Sequence, residues 1–181
     1  RYAYVNQPPI IHWNLLRFAE TLLPLIHDKK DQAIKIVEET INSFSIDYKK
    51  HWLEMMRKKL GLSSEEKEDE TLINTLLLLM KKNKADFTNT FCFLMKKIVP
   101  ENKLFQDNKF LNWHQQWQQR LKRNNKPQEL SLNLMRTTNP LIIPRNHKVE
   151  EALDAASISG DLMPMYNLLD VLKKPYDNRQ E

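Results

Sequence analysis

The densest grouping of chemistry-bearing side chains lies near the C-terminus: Asn139-Pro140, Pro144-Arg145-Asn146-His147, Val149-Glu150-Glu151-Ala152 and Pro175-Tyr176. A guanidinium, a carboxamide and an imidazole in succession could bind an anion or a hydroxyl. The prolines that frame them describe instead an ordered entry loop feeding two short helices. Asn146 is placed to cap the helix that starts near Val149, and capping is favoured over ligand contact. His147 is the most suggestive of the five histidines, because Arg145 and Asn146 precede it directly. His12, His27, His51 and His114 complete the set, and none pairs with another at i+3 or i+4, which argues against a helix-borne metal site. His12 beside Trp13, and His114 between Trp113 and Trp117, read as half-buried structural residues.

Nucleotide chemistry needs more than this. Phosphates are cradled by backbone N–H groups of a glycine-rich loop or by paired basic side chains, with carboxylates holding the metal. The only glycines are Gly61 and Gly160, far apart. The carboxylates alternate with lysines, without an Asp-x-Asp pair, a His-Glu-x-x-His or a Ser-centred elbow. Cys92 is the single cysteine, which rules out an internal disulfide and a Cys-based zinc site. Its neighbours Phe91, Phe93 and Leu94 suggest a buried, inert thiol. Trp113 and Trp117 lie one helical turn apart near Arg120, Lys122 and Arg123. They could stack bases of single-stranded nucleic acid or form one apolar core stripe; glutamines rather than basic residues interleave them, which favours the core. No residue is assigned a catalytic, cofactor-binding or metal-binding role.

The elements that must position these residues are helices. Two glycines in 181 residues disfavour turn-rich sheets, and nine prolines supply the punctuation. Residues 1–9 read as an extended lead-in ending at Pro8-Pro9. Helical periodicity then places Trp13, Leu16, Phe18, Leu22 and Leu23 on one face of residues 10–22, with Pro24 as kink or stop. Further helices are expected over 32–44 and 48–60, the second with Trp52, Met55, Met56 and Leu60 inward. Gly61 is the C′ residue, and Leu62 packs back on the last turn. Ser63 and Glu66 read as a capping box for a core helix over 65–82. The charge run 65–70 reads as its solvated first turns. Asp86 caps 87–98, Pro100 stops it, and 103–124 breaks near Asp107-Asn108. Residues 124–144 are expected to be loose, with a short helix over 130–135. Residues 149–159 end at Gly160, Asp161 caps the last helix, Pro164 sits in its first turn, and Tyr166, Leu168, Leu169 and Leu172 form its buried side. The fold class is therefore all-α, an irregular bundle of about eight helices. It is expected as a single domain over 1–181: lead-in 1–9, main bundle 10–125, Pro-containing loop 126–147, and C-terminal helix pair and tail 148–181.

A chain of this length suffices to bury about 70% of its unfolded surface. Charged residues at 28% and apolar ones at 41% are ordinary for a globular protein. The net charge of +5 is dispersed along helix ends, which argues against a nucleic-acid partner. No apolar run approaches the ~20 residues of a membrane span, and Arg1-Tyr2-Ala3-Tyr4 offers neither an initiator Met nor a signal h-region. A cytoplasmic protein with no membrane partner is expected, its chain beginning at a boundary or trimmed.

Several segments resemble the selenoprotein O (YdiU-like) family. They are Arg1-Tyr2-Ala3-Tyr4 with Asn6-Gln7-Pro8, then Trp13-Asn14-Leu15 with Ala19-Glu20, and Lys59-Leu60-Gly61-Leu62. Asp86-Phe87-Thr88-Asn89-Thr90-Phe91 follows, then Trp113 with Trp117 and Arg120, and the signature over 139–176. They occur in the family's order across nearly the whole chain. The resemblance implies a kinase-like fold that transfers AMP from ATP to Ser, Thr or Tyr hydroxyls with Mg or Mn. It also implies that the nucleotide-binding Lys and Arg residues, the catalytic Asp-Asn pair and the metal-binding Asp-Tyr-Gly motif lie upstream of Arg1. The family's redox Cys or selenocysteine would follow Glu181, and Cys92 does not match it. The expected function is that of the structural C-terminal lobe and tail, inactive alone and without cofactor. Its expected partners are the missing N-terminal catalytic lobe of the same chain and the parent enzyme's protein substrates. The alternative is an autonomous helical module binding protein or nucleic acid; exposed tryptophans on a clustered basic face would favour it.

Overall fold

A computed structural model describes residues 6–96, 103–124 and 126–177, and every described regular element is helical. The chain divides into two compact units, Arg1–Glu54 and Met55–Glu181, with the division inside the second helix.

In the first unit, α1 spans Gln7–Ile26 with prolines in its first turn. The extended lead-in is therefore corrected from residue 7 onward; residues 1–5 lie outside the described residues. Pro8 and Pro9 sit where a helical N–H has no partner anyway, so they start the helix instead of preceding it. Pro24 stands inside α1, which ends two residues later at Ile26. Of the apolar face expected there, Leu16, Leu22 and Leu23 are half-buried, whereas Trp13 and Phe18 are exposed.

The two helices expected over 32–44 and 48–60 are one, α2, spanning Lys30–Lys59. The intervening Ser45-Ile46-Asp47 contains neither Gly nor Pro, and the backbone has no reason to stop. Its end is as expected: Gly61 has φ +72°, its N–H donates to the Lys58 carbonyl (3.0 Å), and the Leu62 N–H reaches the Arg57 carbonyl (2.9 Å). This pair of bonds is the Schellman arrangement, and Leu62 is buried behind it.

In the second unit, α3 spans Asp69–Lys82, so the proposed capping box at Ser63 and Glu66 does not form. Instead the Asp69 carboxylate accepts from the Glu66 N–H at 2.9 Å. Asp86 caps α4 (Phe87–Leu94), accepting from the Asn89 N–H at 2.8 Å; the stop expected at Pro100 lies outside the described residues. The break at Asp107 is present: α5 (Lys103–Gln106) gives way to α6 (Asn108–Lys122), capped by Asp107. The region expected to be loose holds α7 (Gln128–Thr138), longer than the short helix anticipated within the Pro-containing loop. α8 spans Asn146–Asp154, with Asn146 as its first helical residue and no side-chain cap, which corrects the capping role given to it. A π-helical turn, Ala155–Ser159, ends at Gly160 with φ +68°. Asp161 then accepts from the Met163 N–H (2.9 Å) ahead of α9 (Met163–Leu172), where Pro164 stands in the first turn. On α9, Leu168 and Leu172 are half-buried but Tyr166 and Leu169 are exposed, another correction to the expected face.

The core lies where α3 packs on α6. Ile73 and Leu76 of α3, and Phe110, Trp113 and Trp117 of α6, are all buried. The two tryptophan rings are parallel within 6° at 5.9 Å, and Phe105 meets Phe110 edge to face at 4.7 Å.

Candidate functional site

Two of the residues that the sequence singles out, Trp117 and Asn139, meet at the C-terminal end of α2. The last carbonyls of any helix lack intrahelical partners. Here the carbonyls of three consecutive residues at and just past the end of α2 are closed by side chains from other elements. Asn139 Nδ2 donates to the Lys59 carbonyl (2.9 Å), Trp117 Nε1 to that of Leu60 (2.9 Å), and Asn124 Nδ2 to that of Gly61 (2.9 Å). All three donors are buried. Asn139 also donates to the Met135 carbonyl at 3.0 Å and accepts from Lys59 Nζ at 3.3 Å. That ammonium lies 5.6 Å from the Phe87 ring centroid and 5.2 Å from that of Phe91, within cation–π range. Burial holds the Lys59 ammonium below the ordinary lysine range, with nearby Cys92 pulling weakly the other way.

Beside this clasp lies a second, ionic cluster. Arg120 is 2% exposed; its Nε donates to Asp69 Oδ1 at 2.7 Å and its Nη2 to Asp69 Oδ2 at 3.2 Å. The guanidinium further donates to the Ser64 carbonyl (2.8 Å) and to Asn124 Oδ1 (3.0 Å). Glu66 lies 3.3 Å from Arg120 and takes a bidentate contact from Arg123. The hydrogen bonds from Arg123 hold the Glu66 carboxyl below its usual range. An open cleft of about 330 Å³ beside the cluster is lined by Thr71, Thr75, Gln116, Gln119 and both arginines.

The remaining candidates are placed as follows. Arg145 grips Asp86 through two hydrogen bonds, 2.5 and 3.2 Å, and this pairing is the main reason the Asp86 carboxyl lies below its normal range. His147 is exposed on α8. His12 faces Phe44 at 5.8 Å, and His114 lies 5.2 Å from Trp117 and 6.1 Å from Phe110, both half-buried as read. Burial pushes the Cys92 thiol up, and its Sγ lies 3.5 Å from the Pro140 carbonyl. Trp113 and Trp117 are buried, with Trp113 Nε1 donating to the Leu72 carbonyl (2.8 Å), so neither ring is free to stack on a base. Among the described residues, no group of three His, Cys, Asp or Glu side chains could hold a metal ion, and no buried side-chain donor or acceptor is left unsatisfied. The clasp and the cluster tie helix ends and neighbouring elements together.

Asp69, Asn124 and Ser131 were missed in the sequence. Asp69 reads as part of the solvated charge run 65–70, yet it occupies the 69-73-76-80 stripe with Ile73, Leu76 and Met80, all buried. Arg120 likewise continues the 113-117 stripe. Helical spacing was the available signal, outweighed by the expectation that charge stays in water.

These features define a helical module whose buried polar groups serve to lock helix ends and cross-brace α3 and α6. The chain belongs to the family described as Protein adenylyltransferase SelO, which it matches over residues 1–173. It is 50% identical over 181 residues to a protein of Nitrosococcus oceani named "Protein nucleotidyltransferase YdiU", covering 100% of this chain and 37% of that protein. A protein of the same name from Alkaliphilus metalliredigens gives the same identity and coverage. One from Clostridium perfringens is 51% identical over 176 residues, or 97% of this chain and 36% of that protein. The chain thus spans a little over a third of the length of the curated relatives it matches.

Proposed function

We propose that this chain is the C-terminal helical part of a kinase-like protein adenylyltransferase, and that its own role is structural support of the catalytic part. The observation that carries this reading is the fate of the signature residues. Lys59, Asp86, Phe91, Trp117, Arg120, Asn139 and Arg145 all pair with one another or with helix termini. Residues held in such contacts are placed to position elements, which supports a structural role.

ATP with Mg or Mn would supply the parent reaction, AMP transfer to a Ser, Thr or Tyr hydroxyl. The described residues do not fit that group: the metal-ligating triad is missing among them and the buried Arg120 is committed. No step of the transfer is therefore assigned to this chain. What the chain contributes is rigidity around the end of α2, where loss of any one donor would expose a buried carbonyl. Dispersed charge and buried tryptophans leave the nucleic-acid module without a supporting feature.

The reading is tested by the DNA upstream of Arg1. The expected reading frame encodes a Lys-bearing lobe and an Asp-Tyr-Gly motif ahead of Arg1. A start codon a few residues upstream would overturn the enzyme reading and leave an autonomous helical module.

A further inference from the structure

Helix α1 carries two apolar stripes. His12, Leu16, Ala19, Leu23 and Ile26 are half-buried, and this face makes the ring contact with Phe44 of α2. A second stripe, Ile11, Leu15, Phe18, Leu22 and Leu25, lies about 100° round the helix at 3.6 residues per turn. Its steps alternate four and three residues, the spacing of a seam that packs knobs into the holes of another helix. Leu22 is half-buried; the other four are exposed, Phe18 at 61% and Leu25 at 84%. At 1.5 Å per residue the stripe runs about 21 Å, ample for helix packing and far more apolar than chance exposure of single residues.

The borders of the stripe narrow the occupant. Arg17 and Glu20 are the only Asp, Glu, Lys or Arg side chains in α1, and they pair with each other at 2.6 Å. Asn14 and Thr21 flank the stripe on one side. A helix built for a lipid surface carries a face rich in Lys and Arg, and α1 has none. Its complement is an apolar, uncharged helix. The relatives match this chain along its whole length and extend over a further 63% of their own, which is polypeptide from which such a helix could come.

We propose that the 11–25 stripe docks an apolar helix from the portion of the family polypeptide that this chain does not span. The proposal rests on the functional reading above. It is tested by carbene footprinting of side chains in two intact proteins, this 181-residue chain and the full-length Nitrosococcus oceani relative. Phe18 and Leu25 should label freely in this chain, and the aligned side chains in the relative at least tenfold less. Equal labelling in the two proteins overturns the proposal. So does protection in this chain that grows with concentration alongside a dimer in sedimentation, because a second copy is then the occupant. Protection in this chain at every concentration, with a monomer in sedimentation, also overturns it. AMP transfer by the relative is assayed on the same samples: transfer with an unprotected stripe sinks only the docking, and protection without transfer sinks only the functional reading.

Discussion

At the scale of single residues, the module is held by a few buried polar groups whose partners are all present. Arg120 and Asp69 illustrate the asymmetry of such pairs: forming one contributes little, but removing one partner strands a desolvated charge. Asp69→Ala should lower the unfolding free energy by about 3–5 kcal/mol in urea titrations. Arg136→Ala, which breaks an exposed 2.8 Å pair with Glu129, should cost less than about 1 kcal/mol. Trp117→Phe replaces the indole by a smaller phenyl ring and leaves the Leu60 carbonyl without its donor; the lost donor alone should cost about 1–3 kcal/mol, and the vacated space adds to it. Acid sensitivity is also local. Lys82 above all, then Asn83 and the Lys109 N–H, hold the Asp107 carboxyl down to about 2. A depressed folded value means that the stabilisation is full above the unfolded carboxylate value of about 3.9 and is lost as pH falls toward about 2. Asp107→Asn keeps a cap acceptor without the charge, so its stability should vary less over that window than that of the parent. The tryptophan core was legible because two aromatics at i and i+4 state their own face. Asp69 was not, because its charge spoke louder than its spacing.

At the scale of elements, termini were easier to read than continuity. Gly61, Asp86, Asp107 and Gly160 each announce a helix end through a backbone or capping requirement that the sequence displays directly. The join of α2 across Ser45-Ile46-Asp47 and the start of α1 at Gln7 were misread, since a helix persists wherever nothing stops it and tolerates proline in its first turn. The two glycines offer a paired test. A Cβ on Gly61 would meet the Ser131 carbonyl oxygen at 3.0 Å and the Met135 side chain at 3.1 Å, whereas on Gly160 it would meet nothing within 4 Å. Both have positive φ, so both alanine variants pay for the left-handed backbone. Gly61→Ala should cost about 2–4 kcal/mol, combining backbone and packing. Gly160→Ala should cost only about 1–2 kcal/mol, read by the same urea titration.

At the scale of the whole molecule, the all-α class followed from glycine scarcity and helical spacing, and the family was legible from ordered motifs across the chain. What those motifs do was not legible: a sequence cannot distinguish an asparagine that touches substrate from one that closes a helix end 80 residues away, as Asn139 does for Lys59. Among the described residues no helix is long and apolar enough to cross a membrane. The measurement that tests the central claim most directly is AMP incorporation from ATP labelled at the α-phosphate, with Mg or Mn, by the purified 181-residue chain beside the full-length Nitrosococcus oceani relative. Label on protein with the relative and none with this chain is the predicted result. Robust labelling by this chain alone would contradict the account, because it would require an active site within the part proposed here to be structural.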